Sequence, residues 1–309
     1  MKAKILSVAI VAASVALTSC DKNETTVQNN DDKVRFTSGI NATPGSRATI
    51  DADGNSLWEA GDPVGIYMVE HGTADVVEGN ANVKYTAAQA GPSTTFTDAG
   101  DAIYFPLDEA QEVDFIAYHP YNAAVTGFTY PVDLSVQTSQ TAIDLMTAKA
   151  DKSGAGYTKA DGRAGMVVNF AFTHQLAKLV MNITKDATVS DKITAVSITG
   201  MHTTASYDLT GVGGITLLGT PAAITPCTVK AEQKYEAILL PVGSLTAAHT
   251  VTFTTDSGET YVWKMSQQIP QLEAGKIYTY DVNVIRYAVT ASGSINNWEV
   301  GSKGNGTAE

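Results

Sequence analysis

Cys20 and Arg47 are the two residues whose settings point to covalent chemistry. Cys20 stands behind Leu17-Thr18-Ser19, at the end of an apolar run, Ile5–Leu17, that follows Lys2 and Lys4. A basic start, an apolar run and small residues at a cut site make a secretory leader. The chemistry expected there is cleavage of the leader and modification of the Cys20 thiol. Arg47 lies in Thr43-Pro44-Gly45-Ser46-Arg47-Ala48-Thr49 and is one of four arginines, with Arg35, Arg163 and Arg286. A loop of small residues around one basic residue is open to proteases. Taken alone, Arg47 also reads, and more simply, as an incidental exposed arginine.

The remaining reactive side chains do not assemble into a site. His71, His119, His174, His202 and His249 are scattered, with no pair at metal-ligand spacing, so structural roles are expected. Asp51-Ala52-Asp53-Gly54-Asn55-Ser56 begins like a calcium loop but has Ser56 and Asp62 where glycine and glutamate are needed, and it reads as a polar turn. No serine sits in a nucleophile elbow. Gly211-Val212-Gly213-Gly214 lies between Tyr207-Asp208-Leu209 and Ile215-Thr216-Leu217, and reads as a hairpin connection rather than a phosphate loop. Trp58-Glu59-Ala60-Gly61 and Trp298-Glu299-Val300-Gly301 echo each other. The expectation is a tryptophan capping a sandwich edge, with glycan stacking as the functional alternative. No catalytic residue, cofactor or metal is assigned.

The junction at Cys20 resembles the lipobox of bacterial lipoproteins. That resemblance implies a thiol carrying diacylglycerol, cleavage just before Cys20 and an acylated new amino group. The run Ile5–Leu17 has 13 residues, short of the roughly 20 that span a bilayer. Each buried methylene contributes about 0.8 kcal/mol, so two or three acyl chains anchor stably. With residues 1–19 removed, 18 basic and 32 acidic residues remain, a net charge of −14. That balance argues against nucleic acid and against electrostatic attachment to anionic lipid. Cys227 is then the only free thiol and is expected to behave as a small buried apolar residue.

Residues 20–32 are polar and read as a disordered tether. Beyond them, short Val/Ile/Thr/Tyr/Phe-rich segments, Ile103–Phe105 among the expected strands, alternate with Gly, Asn and Asp turns. The expected fold is all-β: two antiparallel β-sandwich domains of about seven strands each. The expected divisions are residues 33–150 for the first, a small-residue linker at 151–165, and residues 166–309 for the second. Val34–Ile40 is the expected first strand, with Val34, Phe36 and Ile40 on one face. Tyr287–Ala291 is the expected last strand, with Tyr287, Val289 and Ala291 on one face, a flexible break at Gly293, and further apolar groups at Ile295 and Trp298. Gln175–Met181 has helical propensity, but its flanks favour one long strand.

The ordered motifs resemble the fimbrillin family, lipoprotein precursors of type V pili in Bacteroides-type bacteria. The matching pieces are the lipobox, Val34-Arg35-Phe36, Ser46-Arg47-Ala48, and Trp58-Glu59-Ala60-Gly61 running on to Ile66-Tyr67. Val113-Asp114-Phe115 through Tyr121, Phe172-Thr173-His174 through Leu179, Leu272-Glu273-Ala274-Gly275 and Ile295–Trp298 complete the set. The resemblance implies two transthyretin-like sandwiches and a lipoprotein precursor carried to the outer membrane on acylated Cys20. It implies that an arginine-specific protease cuts between Arg47 and Ala48. The first strand then leaves, and a strand from another pilin subunit, the donor being Tyr287, Val289, Ala291, Ile295 and Trp298, fills its groove. The expected function is therefore a structural or adhesive pilus subunit at the cell surface, not an enzyme. The alternatives are a non-polymerising surface lipoprotein that binds host glycan or protein, and a lipid-anchored glycan-processing enzyme with paired carboxylates in a cleft.

Overall fold

The computed structural model describes residues 32–38, 49–50, 56–286 and 288–297. Two strands at its centre, Pro63–Glu70 and Val113–His119, pair antiparallel and are buried on both faces along almost their whole length. Strands that are apolar on both sides need cover on both sides, and this pair has two cores. Val64, Ile66, Met68, Phe115 and Ala117 point into one. Tyr67, Val69, Ile116 and Tyr118 point into the other.

These strands belong to an eight-stranded sheet. Its order is Val168–Phe170, Phe36–Ser38, Thr94–Asp98, Val83–Ala87, Pro63–Glu70, Val113–His119, Met146–Ala150, Thr173–His174. One face of it closes around Phe36, Trp58, Phe96, Phe115, Phe170 and Phe172. Against the other face lies a three-stranded sheet, ordered Ile215–Leu218, Thr204–Asp208, Thr129–Asp133. That small sheet joins distant parts of the chain, because Thr129–Asp133 pairs with Thr204–Asp208. The Gln137 carboxamide strengthens the join. It donates to the Ile238 carbonyl at 3.0 Å and accepts from the Ile238 amide at 2.9 Å.

A second sandwich packs a five-stranded sheet against a four-stranded one around Leu179, Met181, Ile198, Phe253, Trp263 and Val282. The five-stranded sheet runs Cys227–Lys230, Lys234–Leu239, Ala177–Lys185, Lys276–Ile285, Ala288–Asn297; the other runs Ala222–Ile224, Ile193–Met201, Thr250–Thr255, Thr260–Lys264. The fold is all-β and sandwich-built; Gln175–Met181 is not a helix, but the single long strand expected there is broken at Gln175 and Leu176, between Thr173–His174 of the eight-stranded sheet and Ala177–Lys185 of the five-stranded one. Among the described residues two pairings are parallel: Phe36–Ser38 with Val168–Phe170, and Ala177–Lys185 with Lys276–Ile285.

Three local expectations are corrected. Residues 151–165 are not a bare linker: a helix, Lys159–Arg163, sits there, and Thr158 and Asp161 bond reciprocally as its capping box. Its Gly162 lies flat on Phe105, where a Cβ would come 2.4 Å from the ring. The small residues serve close packing, which composition alone does not distinguish from flexibility. Next, Val168–Phe170 and Thr173–His174 return to the first sheet, although a division at residue 166 assigns them to the second unit. Lastly, Ile103–Phe105 forms no strand of its own, only a bridge from Tyr104 to Lys33.

Candidate functional site

Phe36–Ser38 is an interior strand. It pairs antiparallel with Thr94–Asp98 on one side and parallel with Val168–Phe170 on the other. Val34, Phe36 and Ser38 point inward and are no more than 2% exposed. Phe36 packs edge-on against Tyr85 and Phe115, each with ring centroids 5.2 Å away, and stacks on Phe170 at 5.5 Å. Ser38 is small because Trp58 fills the space beside it and donates its indole N–H to Ser38 Oγ at 3.1 Å. The Thr37 hydroxyl donates to the Thr94 carbonyl at 2.8 Å. Full burial of Val34 and Phe36 contributes about 1.5–3 kcal/mol each, and each aromatic pair about 0.5–1.5 kcal/mol more. Without this strand, the sheet would hold a slot with an unpaired backbone ladder on each side and a phenyl-sized void at its floor.

Charges close the entrance of this slot. Val34 N–H donates to the Ile103 carbonyl and Phe105 N–H to the Asp32 carbonyl, at 3.0 and 2.9 Å. The Asp32 carboxylate meets Lys159 Nζ at 3.2 Å and Arg163 Nε at 3.0 Å. Arg163 also reaches Glu109 at 2.6 Å. The capped helix over Phe105 therefore presents two cations to the start of the first strand. Beside them Lys33 pairs with Asp98, and its hydrogen bond holds the Asp98 carboxyl below the ordinary carboxylate range.

The C-terminal strand Ala288–Asn297 is the edge of the five-stranded sheet and pairs with Lys276–Ile285 over its whole length. Ala291 is buried, Val289 packs on the second core, and Ile295 is 46% exposed. The expected break at Gly293 is corrected: Gly293 pairs in register with Tyr280. A Cβ there would lie 2.7 Å from the Tyr280 ring and 2.2 Å from the Thr279 carbonyl oxygen, so glycine permits close packing rather than a hinge. Cys20, Ile40, Arg47, Ala48, Tyr287 and Trp298 lie outside the described residues, as does Asp51–Asn55.

The other residues singled out have structural partners. Trp58 is fully buried against Phe96, His119 and Phe172, so it neither caps an exposed edge nor offers a face to a glycan. His119 donates from Nδ1 to the Pro63 carbonyl at 2.9 Å, and burial lowers its pKa to about 4. His174 lies 2.8 Å from Asp144, and His71 2.9 Å from Asp114. His202 Nδ1 bonds the Leu218 carbonyl at 3.1 Å, at the end of the strand Ile215–Leu218, and His249 Nδ1 accepts from the Thr246 amide within its own loop. No group of three metal-binding side chains converges among the described residues. The Gly211–Gly214 turn is a hairpin, clamped by the Asp208 carboxylate, which accepts from Thr210 and Gly213 amides at 2.9 Å. Cys227 is half-buried on an edge strand rather than fully buried. Sequence reasoning misses Thr94–Asp98, which forms one wall of the slot. Its threonine-rich alternation with Thr94 and Phe96 inward is the available signal.

The fimbrillin-like family profile matches residues 46–298, beginning one residue before Arg47. A Bacteroides uniformis protein that carries the name fimbrium subunit Fim1C is 36% identical over 319 residues, covering 99% of each chain. A crystal structure named as a cell adhesion protein of Bacteroides uniformis is 35% identical, with a TM-score of 0.70 over 88% of this chain and 100% of that one. The tip fimbrial protein Mfa3 of Porphyromonas gingivalis shares the fold at 10% identity, with a TM-score of 0.50 over 86% of this chain and 100% of that one. The chain belongs to the fimbrillin-like family of pilus subunits, cell-surface proteins that are structural rather than catalytic and associate with other pilin subunits.

Proposed function

We propose that this subunit is exported as a lipoprotein acylated on Cys20, cut between Arg47 and Ala48, and polymerised by strand exchange. In this reading the first strand, with Val34, Phe36 and Ile40, leaves with the lipid. A neighbouring subunit then supplies its C-terminal strand, Tyr287 to Trp298, to the vacated slot. The observation that carries the reading is the interior position of Phe36–Ser38 between two paired strands. An edge strand leaves one open ladder when removed; an interior one leaves two, with an apolar floor between them. Such a gap is costly to leave empty, because buried backbone groups need partners and an emptied core site costs its packing. An incoming strand meets both demands at once. The donor side fits as well: Ala288–Asn297 is an edge strand with one neighbour to leave, and residues 288–297 carry no charge.

The test is N-terminal sequencing of the protein from cells, followed by treatment of purified precursor with an arginine-specific protease. Expected results are acylated Cys20 on the precursor, a mature chain starting at Ala48, and polymer growth only after the cut. Arg47→Ala should block both cut and growth. Protein cut at Arg47 that has lost its first strand and stays monomeric at high concentration would overturn strand exchange. It would instead favour a non-polymerising surface lipoprotein that binds glycan or host protein.

A further inference from the structure

Lys159 is 7% exposed and faces the Asp32 carboxylate at 3.2 Å, with Arg163 3.0 Å from the other carboxylate oxygen. Asp32 lies on the segment that strand exchange removes, whereas Lys159 and Arg163 stay. Their helix has contacts of its own that do not involve Asp32, namely the Thr158–Asp161 capping box and the packing of Gly162 on the Phe105 ring. The vacated slot therefore keeps an apolar floor and a cationic entrance. A strand that refilled the floor without a carboxylate would bury Lys159 unpaired, which is among the costlier arrangements a protein can adopt. A strand with a carboxylate at that point would restore the pair.

Resting on the strand-exchange reading, we propose that the slot selects its donor by charge as well as by shape. The fitting donor places a carboxylate against Lys159 and Arg163, a bulky apolar side chain four positions along in the Phe36 site, and a small side chain two further on beside Trp58. Shape alone admits many alternating strands; the entrance cations reject those that are neutral at this position. The described C-terminal strand, residues 288–297, is neutral, and the only carboxylate between residues 288 and 308 is Glu299. A donor from a second copy of this chain therefore meets the requirement only if its inserted segment extends to Glu299. Strands from other subunits compete on the same criterion.

The experiment uses the full chain with a specific protease site placed at Arg47–Ala48, which leaves Arg163 uncut. After cleavage, labelled peptides spanning residues 31–40 are titrated into the slot. The set comprises the native sequence, Asp32→Asn, and Asp31→Asn as a control with the same change in net charge. Removing one partner of a buried charged pair should weaken binding by at least about thirtyfold for Asp32→Asn, with Asp31→Asn close to native. On protein carrying Lys159→Met and Arg163→Gln, the Asp32→Asn penalty should shrink to within about threefold, the coupling a double-mutant cycle isolates. Equal binding of native and Asp32→Asn peptides to the unsubstituted slot, or an Asp31→Asn loss as large as that of Asp32→Asn, would overturn charge selection while leaving strand exchange intact. Uptake of no peptide at all would overturn strand exchange, and charge selection with it.

Discussion

Replacing Phe36 by alanine tests whether the first strand is both essential to the precursor and absent from the assembled subunit. Phe36 is 2% exposed and touches three aromatic rings, with centroids 5.2, 5.2 and 5.5 Å away. Truncating a fully buried phenylalanine costs about 3–5 kcal/mol. The site is walled by paired strands and cannot collapse easily, so about 4 kcal/mol is the working figure. That is a large share of the roughly 5–15 kcal/mol that holds a domain. The assay is urea unfolding of the uncut chain, followed by the fluorescence of Trp58 with Trp263 and Trp298 replaced by phenylalanine. Trp58 reports on this core because it packs on Phe96 and Phe172 and bonds Ser38. After cleavage at Arg47 the strand should leave faster, by up to roughly a thousandfold if the whole penalty appears in its off-rate. Once it has left, Phe36→Ala and unsubstituted protein are the same molecule and should be equally stable. A penalty below about 1 kcal/mol in the uncut chain would refute the packing argument. A penalty that survives cleavage and refilling would mean that the strand never leaves.

Two further perturbations probe features away from the slot floor. Gly162→Ala puts a Cβ 2.4 Å from the Phe105 ring, so thermal unfolding should show a loss of about 1–3 kcal/mol from overpacking; an unchanged melting temperature would return residues 159–163 to the status of a loose linker. For His119, burial is the largest influence, lowering its pKa from 6.5 to about 4 against the opposing Pro63 carbonyl. Below pH 6.5 the unfolded chain binds a proton that the folded chain refuses, so the stability this residue contributes is whole above pH 6.5 and lost as the pH falls towards 4. The loss is about 3 kcal/mol. Urea unfolding at about pH 7 and about pH 4 should show it in the parent chain and not in His119→Phe; equal losses in both would remove His119 as the cause.

The β character of the chain is legible because strand residues declare themselves in short windows. Val113–His119, Ala177–Lys185 and Lys276–Ile285 are rich in β-branched and aromatic residues. The Asp208-clamped hairpin is legible for the same local reason, since a glycine cluster between two alternating runs has few other uses. Pairing partners are a different matter. Phe36 lies opposite Phe96 and Val168, 60 and 132 residues further along, and nothing in its own neighbourhood points to either. Glycine is misread where its role depends on what packs over it. Gly162 beneath Phe105 and Gly293 beneath Tyr280 are sites of close approach, and sequence presents them in the same terms as hinges.

The slot itself shows why a candidate site can be half legible. Its floor follows from alternation: Val34, Phe36 and Ser38 share one face, and that pattern by itself indicates burial. Its entrance does not, because Asp32 meets Lys159 and Arg163 across 127 and 131 residues of chain. Those cations lie in Lys152–Gly165, whose composition suggests a passive connector. The two parts answer different physical needs. The apolar floor supplies most of the free energy that any inserted strand can recover, since burial is roughly proportional to area and indifferent to identity. The charged entrance adds less energy but distinguishes one strand from another, since an unmatched buried ammonium is penalised whatever else fits. A groove that is to stay closed in the precursor and then accept a chosen replacement needs both, and this chain places them along one short segment, the charge at Asp32 and the apolar face from Val34 to Ser38.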